Sequence, residues 1–362
     1  MQSGFFTNIN CRAITRLRED MAVLLCIALY AAFGFLFLAL NQAQENAQFG
    51  EYLKKAMLLG LFLFPLCALT VDSVSIFHRF DRRRGLAFRR VFSPRRLGSL
   101  VAGSAMLAAI MLFEGVFTSV KNTLVVWQGG FHFDRLFADL DAFLHFGTDP
   151  WRIVTPLMNS AAARIFVGYN YGIIWVLITF GAVYFVSSSP KADAVRSRYL
   201  VSFMLVWILL GNVLAGLFMS AGPAFYAQVT GDSARFAGLA ASLADGAALG
   251  DATGFYQAYL WSLHETGTSG FASGISAFPS VHVGLIVMNT LFAWDASRRL
   301  GWVMIAYSLL ILASSVGLGW HYAVDGYASA ILVVAMHLAL KRVYGFHSQP
   351  AEASQMRPVT AR

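Results

Sequence analysis

The sequence predicts an all-α fold, a polytopic membrane helix bundle of about eight transmembrane helices with both termini on the cytoplasmic side. Hydrophobic residues make up 57% of the 362 and charged residues only 13%, more apolar surface than a chain of this size can hide in water. Apolar stretches long enough to cross about 30 Å of hydrocarbon recur along the chain. Their Leu, Ala, Met and Phe content favours helices, which satisfy their own backbone groups in lipid. Basic residues also sort to one side, as retention of Lys and Arg in the cytoplasm requires. Of 27 such residues, 20 fall in segments that a cytoplasmic N-terminus places inside.

The first span, 21–40, follows Arg12, Arg16 and Arg18. It is too long for a secretion signal and lacks a small-x-small cleavage site after it, so it reads as a retained anchor. Spans at 55–72 and 97–118 come next, joined by a segment with eight arginines from Arg79 to Arg96. That cluster and the net charge of +8 suit anionic lipid headgroups, so nucleic acid is not an expected partner. A polar stretch, 119–163, then lies outside. Within it Asp149-Pro150-Trp151 reads as a helix start, with Trp151 as an interfacial anchor.

Spans at 165–187 and 199–219 flank Lys191, Arg196 and Arg198 on the inner side. The outer loop 220–278 places Phe236, Leu239, Ala240 and Leu243 on one helical face, a short helix resting on the membrane or capping a cavity. Its Gly/Ser-rich stretch "ETGTSGFASGIS" reads as a mobile linker. The last spans are 279–295, 301–319 and 322–340, and the first of these has the shortest apolar stretch. The chain thus divides into a three-span N-terminal addition (1–118), an interfacial segment (119–163), a five-span core (164–342) and a cytoplasmic tail (343–362). Cys11, Cys26 and Cys67 fall on the inner side or within spans, so no disulfide framework is implied.

Two motifs carry chemistry. In "FPSVHVG" (278–284), Pro279 can start a helix and Ser280 can cap one, which puts His282 in the first turn. Free N–H groups and the positive end of the helix dipole gather there, a seat for an anion such as phosphate. A histidine beside it can exchange a proton near neutral pH. In "GLGWHYAVDGY" (317–327), Asp325 follows His321 by four residues, one helical turn. A carboxylate bonded to one ring nitrogen fixes the tautomer and leaves the other nitrogen free to attack. Topology brings His282, His321 and Asp325 to one membrane face. An Asp a turn inside a span costs about 3 kcal/mol on insertion scales, so it usually has a partner or a task. Glu114, inside the third span, reads equally as a buried hydrogen-bonded residue or as part of a substrate path. His337 decorates the inner interface, and His132, His145 and His264 occupy outer loops. His and Asp can ligate zinc, yet no HExxH or cysteine cluster supports a metal.

Pro279-Ser280-x-His282 and His321-Tyr322-x-x-Asp325, separated by a span pair, resemble the type-2 phosphatidic acid phosphatase superfamily, and within it the branch related to inositol phosphorylceramide synthases. "SAGPAFY" (220–226) is similar to the segment that precedes these motifs. The resemblance covers roughly 130–340. It implies that His321 attacks phosphorus to give a phosphohistidine, that Asp325 orients it and that His282 protonates the leaving alkoxide, with no metal or other cofactor. Ser280, Val281, Tyr322 and Ser314 are the substrate contacts it implies. The substrate would be a lipid phosphate or phospholipid, met in the bilayer of an integral membrane protein, in a bacterial inner membrane with the site toward the periplasm or exterior. Departures exist. The family's K-x6-R-P motif would place its Lys and Arg at Ala215 and Gly222, the Gly of "PSGH" is Val281, and Ser315 stands where an Arg adjoins Ser314. These losses point toward headgroup transfer, with Arg164, Lys121 or Arg235 as substitute cations. A lipid transporter or scaffold that retains the fold is the competing expectation, although no inverted repeat or paired broken helices mark a carrier.

Overall fold

A computed structural model describes residues 2–79, 84–158, 160–248 and 250–347. The described chain is helical throughout, joined by loops and short turns. Helix α1 (Gln2–Glu19) precedes α2 (Met21–Leu40) and α3 (residues 49–79). A short α4 (Arg84–Val91) leads into the long α5 (Pro94–Gln128). Helix α6 (Asp134–Leu144) lies outside the spans, followed by α7 (Ala161–Ser188) and α8 (Arg196–Leu217). The second outer loop carries α9 (Ala237–Ala248) and α10 (Ala252–Thr266). Then come α11 (Val281–Ala296), α12 (Arg298–Gly317) and α13 (Ala323–His347). The chain is an integral membrane protein: among the described residues, seven helices are long and apolar enough to cross a bilayer. Most of the predicted tail, 348–362, lies outside the described residues.

Helix α11 is the exception to full span length. Its 16 residues rise only about 24 Å, short of the roughly 30 Å of a hydrocarbon core. Helix α11 pairs with α12 and α13 inside the bundle.

The third span extends further than expected. Helix α5 continues past 118 to Gln128 and ends where Gly129 takes a φ of 77°, the left-handed conformation that glycine adopts at helix C-termini. Residues 119–128 are therefore helix, not the start of a loop. Polar Lys121, Asn122 and Thr123 hid this continuation, because a hydropathy reading counts them against a span whereas here they face protein.

Helix α5 is the hub of the bundle. Leu107, Ile110 and Phe113 are fully buried in the main core, which joins α2, α3, α7, α8 and α11. Phe117 stacks edge-on against Trp207 of α8 at 4.7 Å between centroids. At the same place Gly211 lets α8 approach, since a Cβ there would lie 2.6 Å from the Phe117 ring and 3.0 Å from Val281. The N-terminal helices thus share one apolar core with the remainder.

Ion pairs gather at one end of the bundle. Arg196 contacts Glu19, Asp20 and Asp193, Arg16 contacts Asp193, and Asp295 holds Arg198, His337 and Lys341. Asp295 closes α11 whereas His282 opens it, so this charged belt and the two motif histidines occupy opposite ends.

Trp151 is not at the rim. It is only 8% exposed, packed with Phe236 and against Gly238, because Leu239 of α9 and Phe236 just before that helix pack onto the outer ends of the bundle. The Gly/Ser stretch expected to be mobile is tied down. Ser269 accepts from Gln48, Ser273 exchanges hydrogen bonds with Asn122, and Tyr256 donates to the Ala272 carbonyl.

Candidate active site

Helix α11 begins as its residue types dictate. Ser280 is the N-cap, its hydroxyl accepting from the Val283 N–H at 3.3 Å, which leaves the N–H groups of Val281 and His282 without intrahelical acceptors. The His282 ring is held by aromatic contact, parallel to Tyr171 at 4.5 Å and against Trp175 at 4.0 Å. Trp175 also donates its indole N–H to the His282 carbonyl. Tyr171 lies in a π-helical turn of α7, Asn170–Ile174, with Trp175 directly after it, and such turns recur at functional sites because they re-aim side chains.

His321 sits in the loop between α12 and α13, its backbone N–H bonded to the Ser315 carbonyl. Its Nδ1 lies 2.7 Å from the Ala277 carbonyl oxygen and 3.3 Å from Asp325 Oδ2. A carbonyl can only accept, so Nδ1 carries the proton and Nε2 presents a lone pair. Burial pushes the imidazole pKa down, to about 3, so the ring is neutral at physiological pH. The two imidazole centroids are 6.4 Å apart. The two rings are therefore near neighbours, both within reach of a group bound at the start of α11. Asp325 is fully buried and also accepts the Tyr322 N–H at 2.9 Å.

The structure therefore brings His282, His321 and Asp325 together, with Ser280 and Val281 at the adjoining helix start. The other two predicted contacts have hydroxyls engaged within the protein. Tyr322 donates to Asp134 at 2.8 Å and Ser314 to the Leu310 carbonyl at 2.6 Å. His145 bonds Asp141 and Tyr327, and His264 packs between Phe131 and Trp261. Glu114 is buried in α5 with Oε1 unpartnered among the described residues.

Two residues that sequence reasoning missed assemble the loops around the site. Asp134 accepts from the N–H groups of Ala221 and Gly222 as well as from Tyr322. Asp141 accepts from Ala323 and Val324 at 2.7 and 2.8 Å, capping α13 from a separate helix. Burial pushes both carboxyls above their ordinary pKa against the pull of the donated N–H groups. They lie seven residues apart, two turns along one face of α6, and that spacing was the available signal.

Gly222 shows why an arginine cannot occupy its position. Its φ is 96°, and a Cβ would lie 2.6 Å from the Trp320 carbonyl oxygen. Gly222→Ala is expected to cost about 2 kcal/mol or more, from left-handed strain plus that collision, read as a lowered melting temperature in detergent. Ala215, at the other motif position, is only 1% exposed.

Searches among curated proteins and among solved structures gave no match. Residues 135–339, which include both histidines and Asp325, match the family model described as the PAP2 superfamily.

Proposed function

Because the chain belongs to the PAP2 superfamily, we propose that it is a membrane enzyme moving the phosphoryl group of a lipid phosphate ester, through a phosphohistidine on His321, at the extracytoplasmic face. The observation that carries this reading is the pairing of His321 Nδ1 with the Ala277 carbonyl and Asp325, which leaves Nε2 unprotonated on a ring whose centroid is 6.4 Å from that of His282. The Nε2 lone pair attacks phosphorus, the P–O ester bond breaks, and protonated His282 gives its proton to the departing alkoxide. His282, now neutral, then takes a proton from the incoming water or alcohol. That oxygen bonds to phosphorus, the P–N bond breaks, and its electron pair returns to Nε2. The free N–H groups at the start of α11 stabilise the equatorial oxygens.

The buried setting limits the bulk water that reaches the intermediate. His321 is 7% exposed and Asp325 fully buried, and restricting water at a site suppresses hydrolysis of the intermediate. Headgroup transfer between lipids, as in the inositol phosphorylceramide synthase-like branch, is therefore the preferred form of the reaction. Incubation with labelled phospholipids, with and without alcohol acceptors, tests it: a new headgroup-bearing lipid supports transfer, free phosphate alone supports hydrolysis, and no label on His321 across lipid classes favours a carrier.

The role of His282 has a separate signature. His282→Asn is expected to slow turnover of alkyl phosphates by about 10²–10⁴-fold but to slow aryl phosphates much less, because a phenolate leaves without a proton. Equal losses for both substrates would remove His282 from the proton-donor role.

A further inference from the structure

A phosphate ester carries negative charge into a site where the family's usual cations are replaced by Ala215 and Gly222, and the Trp320 carbonyl closes the second of these positions to any side chain. Seven Lys and Arg residues lie on the side expected to hold the site, and six are engaged elsewhere. Lys54 pairs with Glu51, and Lys55 lies over the Phe271 ring. Arg135 and Arg164 donate to the carbonyls of Thr230 and Ser242, Arg152 stacks on Trp151, and Arg235 is held by Asp139 and Asp149.

The seventh is Lys121. Among the described residues its ammonium makes no hydrogen bond, ion pair or ring contact, although it is part-buried in the bundle. Its position follows from its helix. Phe117 meets the Gly211 site beside Val281, level with the start of α11, and Lys121 lies four residues further along the same face of α5, about 6 Å outward. Its Cγ also lies 3.1 Å from a Cβ built on Gly274, three residues before the Ala277 carbonyl that holds His321. The charge of Lys121 is felt at both imidazoles. The Tyr171 hydroxyl, on the ring stacked against His282, is also buried with no partner among the described residues.

We infer that Lys121, on a helix that precedes the family-matched segment, is the cation that binds the substrate's phosphoryl oxygens, so that the active site is shared between that segment and the N-terminal helices. This rests on the phosphoryl-transfer reading above. An unpaired ammonium held inside a protein is unfavourable until an anion arrives, so its cost to the empty fold becomes affinity for the phosphate.

The test uses the full chain in phospholipid nanodiscs with hexadecylphosphonate, a lipid phosphate mimic that lacks the scissile ester. Lys121→Met is expected to weaken its binding roughly 10- to 100-fold, the range for a lost charge-assisted hydrogen bond, and to raise KM for a phosphate ester, while the melting temperature stays level or rises. Lys121→Gln should match it, which guards against a packing artefact, and Lys121→Arg should hold binding within about tenfold of the parent. Wild-type-like binding by both neutral variants, with label still appearing on His321, overturns the role of Lys121 alone. A wild type that neither binds the phosphonate nor takes label on His321 overturns the phosphoryl-transfer reading, and this inference with it.

Discussion

His321→Ala is expected to lose turnover by roughly 10⁴-fold or more, the scale seen when a covalent nucleophile is removed, while the protein still folds. The two outcomes separate because the ring does little for the bundle. It donates one hydrogen bond to Ala277 and approaches Asp325, and losing a single buried bond of this kind costs about 1–3 kcal/mol. The main apolar core is untouched. The check pairs a rate measurement with a melting curve on the same preparation, together with a search for acid-labile, base-stable label on the wild-type histidine. Turnover within tenfold of the parent would refute His321 as nucleophile.

Asp134→Ala is expected to give the largest loss of stability among single changes near the site, about 3–5 kcal/mol. The carboxylate accepts from two backbone N–H groups and one tyrosine hydroxyl, all buried. Each donor left unsatisfied costs about 1–3 kcal/mol, and the sum falls below simple addition because the loops relax. Activity should fall as well, since Asp134 ties the 220–223 segment to Tyr322, and that segment bonds Ala277, the residue whose carbonyl holds His321. Asp134→Asn keeps one acceptor oxygen and should recover part of the loss. A melting temperature unchanged in the alanine variant would show that the loops hold without this clamp.

Much of the bundle was legible because its signal is local. Apolar runs of span length reveal themselves without any tertiary information, and the first two spans lie inside the helices found at those positions. The end of α5 was not legible: Lys121, Asn122 and Thr123 interrupt the hydropathy, and only burial against α10's following loop and the outer ends of the bundle explains why they remain helical. Trp151 misled for a related reason, since an aromatic beside a predicted span reads as an interfacial anchor until α9 is seen to cover it. His321 and Asp325 were legible as a pair through their four-residue spacing. The Ala277 carbonyl, the nearer partner of Nδ1, was not, because a backbone atom 44 residues away leaves no mark in residue identity.

By itself the sequence determined that this chain lives in a bilayer as helices and that two histidines and an aspartate open their spans at one end of it, since hydrophobic length and capping residues act over a few neighbours. The tertiary structure decided that Lys121 is left without a partner among the described residues, which tautomer His321 holds, and that two carboxylates from an outer helix fasten the loops. Each of these depends on distances between segments far apart in the chain, and such distances exist only once the helices have packed.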